Sequence, residues 1–364
     1  MKVKDIRKEL ETWAPLALQE EYDNSGLLAG DPETEISRVL VSLDLTPAVI
    51  TEAVEKKCEL VISHHPFIFK GLKRIIAGSD EFEILRQSMV HGISLYAIHT
   101  NLDNAARGLN LFLCEKLGLK DCRILSPKKG LLFKLVTFCP TEHADRVREA
   151  LFSAGAGHIG NYDSCSYNLD GIGTFRAMDK AKPFVGEKNA LHREPEVRIE
   201  VIFPGYDEQK LIGALKGAHP YEEVAYDIYP LANEYARAGA GMIGTLDPGM
   251  APRGFLEKVR EVMKIPVIRH TAPHGQVVRK VAVCSGAGAF LIGEARSAGA
   301  DALLTGDLKY HDFTAAGSSL LLADIGHYES EQWVKELISS VLIQKFPNFA
   351  VLISEKEQNP VNYL

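Results

Sequence analysis

The chain has 364 residues, of which 46% are hydrophobic and 24% charged, and its formal net charge is -7. That length exceeds one ordinary core, so two or three domains are expected. The acidic balance argues against a general nucleic-acid binder, and no apolar run reaches the ~18 residues that a membrane span needs.

The opening "MKVKDIRKELETWAPL" has the charged, amphipathic pattern of a helix and lacks the apolar core of a signal peptide. The cysteines, at positions 58, 114, 122, 139, 165 and 284, form no C-x-x-C pair and read as reduced thiols of a cytoplasmic protein. Residues 1 to about 125 alternate strand and helix. "RVLVSLDLT" predicts a strand, "PAVITEAVEKKC" a helix opened by Pro47, and "ELVISHH" the next strand. "EFEILRQSMVHG" has helical spacing, "ISLYAIHT" reads as a strand, and "GLNLFLCEKLG" as a helix closed by Gly118. Such alternation predicts a mostly parallel sheet covered by helices.

The pattern changes after "SPKKG". From about 130 to 233 the reading is strand (LLFKLVTF), helix (TEHADRVREALFSAG), two strands around "SYNLDGIGTF", strand (VRIEVIF), helix (DEQKLIGALKGA) and strand (VAYDIYPL). We take this as the β-α-β-β-α-β, ferredoxin-like unit. An exposed loop rich in Lys, Pro and Gly, about residues 179–195, interrupts it, and "NEYARAGAGMIG" reads as a return linker. From about 240 the α/β pattern resumes with strands "KVAVCSGAG", "ADALLTGD" and "SSLLLADIGH" and the long amphipathic helix "ESEQWVKELISSVLIQKF". The expected architecture is therefore α/β. Two α/β halves with mostly parallel sheets, residues 1–128 and 236–364, surround an inserted α+β domain, residues 129–235.

Three strand ends carry metal-ligand side chains. One gives His64 and His65, where Pro66 stops an apolar run; the second, "YAIHTNLD", gives His99 and Asp103; the third, "LLLADIGHYESE", gives His327 and Glu331. The spacing of the last pair stacks both on one helix face. Each piece has a bland reading: a hydrogen-bonded strand-end histidine, a surface H-x-x-x-E pair, an N-cap aspartate. Residue types alone leave a metal site and a set of structural side chains evenly matched. If a metal is held, three imidazoles with two carboxylates and no thiolate suit Zn, Fe, Mn, Ni or Co in a reactive site. Five protein ligands exceed what one four-coordinate ion with an open position takes, so two divalent ions fit better. His64 and Asp103 would hold one ion, His65 and His327 the other, and Glu331 would bridge.

"ISHHPFIFKGLKRI", "AIHTNLDNAARGLN", "LLTGDLKYHDFTAA", "DIGHYESE" and "EYDNSGLLAGD" together resemble the Nif-three-like family, labelled GTP cyclohydrolase I type 2 homologues, over about 1–125 and 235–364. The inserted "GAHPYEEVAYDIYPL" is similar to the PII/CutA-like domain of longer bacterial members. The resemblance implies a dinuclear metal site on His64, His65, Asp103, His327 and Glu331, and a homohexameric toroid. It also implies GTP ring opening, although no guanine-reading pocket is legible; a phosphoester or cyclic amide suits the same ions. The expected function is thus a metal-dependent hydrolase, with a metal-binding regulator or metal-delivery protein, gated by the inserted domain, as the alternative. The small-molecule substrate or effector is not specified.

Around the ligands, His99, which shares a loop with Asp103, is expected either to stand behind the metal ligands as their partner or to be a structural residue, and His311 in "TGDLKYHDF" is the candidate general acid/base. Asp23 and Asn24 either line the pocket or make a turn. "CSGAGAF" offers either an anion-receiving turn or close helix–sheet packing. His270 and His274 read as surface-loop residues, since Pro273 breaks any helix there.

Overall fold

In a computed structural model, which describes residues 1–273, 275 and 277–364, the chain forms two compact units. One combines residues 1–127 with 237–364, and the other spans 128–236. The first stretch of chain supplies strands β1 (Gly26–Ala29), β2 (Arg38–Ser42), β3 (Leu60–Ser63), β4 (Ser94–Ala97) and β5 (Lys120–Lys128). Strands β6 (Leu132–Pro140), β7 (Tyr167–Arg176), β8 (Leu191–Pro204) and β9 (Tyr226–Pro230) follow. The last stretch adds β10 (Tyr235–Met250), β11 (Arg269–His270), β12 (Val278–Ala287), β13 (Ala302–Gly306), β14 (Leu321–Asp324) and β15 (Ala350–Ile353).

The larger unit holds two sheets, ordered β1-β4-β3-β2-β15 and β11-β14-β13-β12-β10-β5. Strand β3 is buried along its whole length, as its unbroken Leu-Val-Ile run requires of a strand covered on both faces. The helix Pro47–Glu55 that leads to it starts where Thr46 accepts from the Val49 N–H (3.3 Å) and Pro47 presets the first turn. The parallel register is level: Ser42 pairs with Ser63, and Ser63 with Ala97. The residues that leave β2, β3 and β4, namely Asp44, His64 with His65, and His99, therefore emerge at one edge. In the second sheet Ala287 pairs with Gly306 and Thr305 with Asp324, which brings Gly286, Asp307 and His327 to a common edge likewise. Carboxyl edges of such sheets are where α/β folds bind ligands.

Several expectations are corrected. The first sheet keeps the expected mostly parallel arrangement, with β1 antiparallel to β4. The second is mixed, because β10 and β11 pair antiparallel with β12 and β14. The stretch read as a return linker is the long strand β10. Its small residues hide the strand pattern while serving the packing: a Cβ at Gly239 would overlap the Ser126 carbonyl, and one at Gly244 would stand 2.7 Å from Cys122 Sγ. "SYNLDGIGTF" is one strand, β7, and β8 begins at Leu191, inside the expected loop. The expected long C-terminal helix divides into His327–Glu331 and Val334–Lys345. His270 lies on the exposed edge strand β11, and His274 falls outside the described residues. The halves also exchange edge strands, since β15 completes the first sheet and β5 the second.

The unit 128–236 is a four-stranded antiparallel sheet ordered β7-β8-β6-β9, with the chain order β-α-β-β-α-β. Helices Ala144–Ser153 and Glu208–Ala218 bury Val147, Leu151, Leu211 and Leu215 against Leu135, Ile199, Val201 and Phe203 on one sheet face. All six cysteines are free, and among the described residues no helix is long and apolar enough to cross a membrane.

Strands β5 and β10 are neighbours and frame the excursion of the chain into 128–236. Replacing residues 131–233 by a short Gly-Ser turn is expected to leave the larger unit folded. Circular dichroism and a single cooperative thermal transition check this; a non-cooperative melt would show that the larger unit depends on the smaller.

Candidate metal centre

Four imidazoles meet at the strand edges. Ring centroids lie 5.2 Å apart for His64 and His65, 5.1 Å for His64 and His99, 5.2 Å for His65 and His99, and 5.5 Å for His65 and His327. Each ring is fixed through Nδ1. His64 donates to the Ile98 carbonyl (2.7 Å), His65 to Asp44 (2.8 Å), His99 to Asp23 (2.8 Å) and His327 to Asp307 (2.7 Å). An oxygen acceptor behind each Nδ1 leaves Nε2 as the nitrogen facing the centre, which is how metal-ligating histidines are oriented.

Two carboxylates complete the cluster. Glu331 accepts from His65 Nε2 and His327 Nε2, both at 2.9 Å, and its other oxygen lies 4.0 Å from His64 Nε2. Asp103 Oδ1 lies 3.7 Å from His64 Nε2 and accepts from the Ser285 hydroxyl (3.1 Å). Candidate ligand atoms within 4.8 Å of one another form three trios: His64, Asp103 and Glu331; His65, His327 and Glu331; and His64, His65 and His99. Glu331 belongs to two of them.

Burial sets the electrostatics. His64 is fully buried, which pulls its pKa down to about 3, so its Nε2 is an unprotonated acceptor with no hydrogen-bond partner. Burial also pulls His65 and His327 down, but hydrogen bonds override it, to Asp44 and Glu331 for His65 and to Glu331 and Asp307 for His327, and raise them to about 10 and about 9. Burial and the nearby Glu331 charge push Asp103 up to about 7. Burial opposes ionisation of Glu331 as well, yet the N–H groups of His327 and His65 hold it well below the usual carboxylate range. Without a cation, then, protons on two imidazoles balance Glu331. The orphaned His64 Nε2, aimed between carboxylates, has no such partner, and a cation is the chemical group that would satisfy it. The donor set of imidazole and carboxylate fits a divalent transition metal.

The five residues expected as ligands are thus together. His99 lines the same cavity, about 610 Å³ in volume, and is held there by Asp23. Asp103 is the last residue of the short helix Thr100–Asp103, and Gly108 caps the following helix instead. His311 is exposed on the helix Tyr310–Ala315 and does not line the cavity. The Lys309 N–H, capped by Asp312 (2.7 Å), starts that helix beyond the edge and carries His311 outward.

Asp23 does more than turn the chain. It accepts from Asn24 N (2.7 Å), Ser25 Oγ (3.0 Å), Thr100 N (3.0 Å) and the Thr100 hydroxyl as well as from His99. Asp44 and Asn110 escaped the sequence reading. Asp44 could have been found, because it follows β2 at the same level as His65 follows β3. Asn110 could not: it lies within a helix, where its Oδ1 accepts from Ser285 N (2.8 Å) and its Nδ2 donates to the Asp103 carbonyl (3.1 Å). In "CSGAGAF" the glycine serves close approach, since a Cβ at Gly286 would overlap Glu331 Oε1.

The family model Duf34/NIF3 (NGG1p interacting factor 3) matches residues 1–360. A Halalkalibacterium halodurans protein and a Bacillus subtilis protein, each named GTP cyclohydrolase 1 type 2 homolog, are 39% identical to this chain over 97% of its length and 96% of theirs. The crystal structure of a Bacillus cereus protein related to NIF3 superposes with a TM-score of 0.85 at 36% identity, covering 100% of this chain and 99% of that one.

Gly286 combines a left-handed backbone (φ +58°) with its contact on Glu331. Gly286→Ala is expected to lower unfolding stability by about 1–3 kcal/mol through backbone strain, and displacement of Glu331 adds to that loss. Chemical denaturation measures it, and an unchanged midpoint would contradict the packing described.

Proposed function

The chain belongs to the Duf34/NIF3 family, and on that premise we propose that it is a metal-dependent hydrolase whose centre takes two divalent cations. The observation that carries this reading is the position of Glu331, common to the trio with His64 and Asp103 and to the trio with His65 and His327. His64 and Asp103 would hold one cation, His65 and His327 the other, with Glu331 between them. When bound, such cations supply Lewis acidity and lower the pKa of water.

The chain's own residues shape the rest. Tyr22, Phe67, Phe69 and Phe290 give the cavity apolar walls suited to a flat or compact organic group. His99, fixed by Asp23 on Nδ1, presents Nε2 to the same space and can exchange a proton or hydrogen bond with substrate there. Among the lining residues there is no lysine or arginine, and Glu20 and Asp44 add negative charge. Lys70, Lys73 and Arg74 are exposed on the loop after Phe69. Two divalent cations would offset Asp103 and Glu331 and at most one phosphoryl group, and Glu20 and Asp44 reduce that remainder further. A triphosphate carries more than that remainder. We therefore favour a phosphomonoester, phosphodiester or cyclic amide over the GTP in the relatives' printed name.

The likeness of residues 128–236 to a PII/CutA-like domain belongs to the same proposal. What supports it is the β-α-β-β-α-β order with strands arranged β7-β8-β6-β9.

Two measurements test this. Asp44→Ala frees Nδ1 of His65 and is expected to weaken metal binding roughly 10- to 100-fold, read by competition with a chromophoric chelator; undiminished affinity would remove His65 from the ligand set. The second is turnover of p-nitrophenyl phosphate, bis(p-nitrophenyl) phosphate, hydantoin and GTP by metal-loaded protein. Hydrolysis of a compact substrate that is lost in Glu331→Ala is the expected result. Full metal loading without turnover on any of the four would favour a regulator or metal-delivery protein instead.

A further inference from the structure

The unit 128–236 contains a second cavity, of about 680 Å³. Phe138, Glu196 and Arg198 line it, and along β6 and β8 they alternate with Cys139, Val197 and Ile199 of the helix-covered core. Alternation puts them on the opposite face of the sheet. The segments Ala177–Phe184 and Tyr221–Ala225 flank the opening.

Aromatic rings gather around one carboxylate. Tyr221 Oη donates to Glu196 Oε1 at 2.8 Å, and the Tyr221 ring lies 6.0 Å from Phe175 and 6.3 Å from Phe184, centroid to centroid. The Glu196 carboxylate occupies its place because position 173 has no side chain: a Cβ at Gly173 would overlap it. Burial and the Glu196 charge raise the Tyr221 hydroxyl above its ordinary range, so it stays a donor.

The charges are one-sided. Asp170, Glu196, Glu222 and Glu223 line the cavity, and the one lining cation, Arg198, is held by Glu200 at 2.8 Å. Glu222 accepts from the Lys182 N–H (2.7 Å), and the nearby His192 is taken by Glu194 (2.7 Å). Among the described residues no cation forms an ion pair with Glu196. An anionic ligand would meet these carboxylates, and a neutral one without a hydrogen-bond donor would desolvate Glu196 without return. A cation gains from the carboxylate and from the negative ring faces together.

We propose that this cavity binds a small organic cation, an amine or quaternary ammonium on an apolar body, with its charged head among Phe175, Phe184 and Tyr221 and against Glu196. This site is independent of the metal centre and of the hydrolase reading.

Calorimetric titration of the full-length protein with benzyltrimethylammonium tests it. One saturable site per chain is expected, weakened about tenfold or more in Glu196→Gln, which keeps an acceptor for Tyr221, and in Phe184→Ala, which removes a ring that is 47% exposed. In the wild type, choline is expected to bind at least about tenfold more tightly than 3,3-dimethylbutan-1-ol, which has the same shape without the charge. Absence of saturable binding would overturn the proposal. So would equal binding of that neutral partner, or undiminished affinity in a Glu196→Gln variant with wild-type circular dichroism.

Discussion

A carboxylate taken out of water governs the larger unit. Glu331 has 2% of its surface exposed, and an isolated buried charge of that kind costs several kcal/mol after relaxation. Its surroundings offset that cost through imidazole N–H groups from two different strand edges, His65 after β3 and His327 after β14. Each imidazole in turn needs an acceptor behind it, which Asp44 and Asp307 supply. The chain of dependence runs from one acid to two bases to two further acids; Glu331 and His327 share one short helix, while the link to His65 joins segments 266 residues apart.

This explains why the sheets must be placed as they are. A level register brings Asp44, His64, His65 and His99 to one edge of the first sheet, and a similar register brings Gly286, Asp307 and His327 to one edge of the second. The exchange of β5 and β15 ties the two sheets into one unit, so that neither sequence half carries the centre alone. Asn110 strengthens the link where it matters, bonding the Asp103 segment to β12 through Ser285. Gly286 then lets β12 approach the acid more closely than any side chain would permit. His64 stands apart in this network. Its Nε2 is, among the described residues of the centre, the buried imidazole nitrogen left without a hydrogen-bond partner.

Much of this was legible in the sequence because strand ends obey simple rules. An apolar run halted by Pro66 marks His64 and His65, and helical spacing joins His327 to Glu331. Those signals are local, and so they survive without a structure. The supports were harder to read. Asp44 looks like an ordinary strand-end acid until the register is known, and Asn110 looks like an unremarkable polar residue within a helix. Strand β10 hid behind its glycines, which suggest a linker but in fact let β5 lie close. His311 illustrates the reverse error: its sequence neighbourhood places it near a strand end, and the helix that begins at Tyr310 turns it to solvent. Tertiary pairing, not residue type, decides all four cases.

The smaller unit follows a separate logic, with its own core under two helices and its own acidic, aromatic cavity on the other sheet face. Its fold is local and antiparallel, and the residues of the Glu331 network belong to the larger unit. The central claim concerns that network, and the most direct measurement is anomalous diffraction from crystals of protein purified without chelators, combined with metal quantification per chain. The account predicts two cations per chain, one on either side of Glu331, with His64 Nε2 bound to one of them. A single ion, or His64 Nε2 left without a metal beside an occupied Glu331, would contradict it.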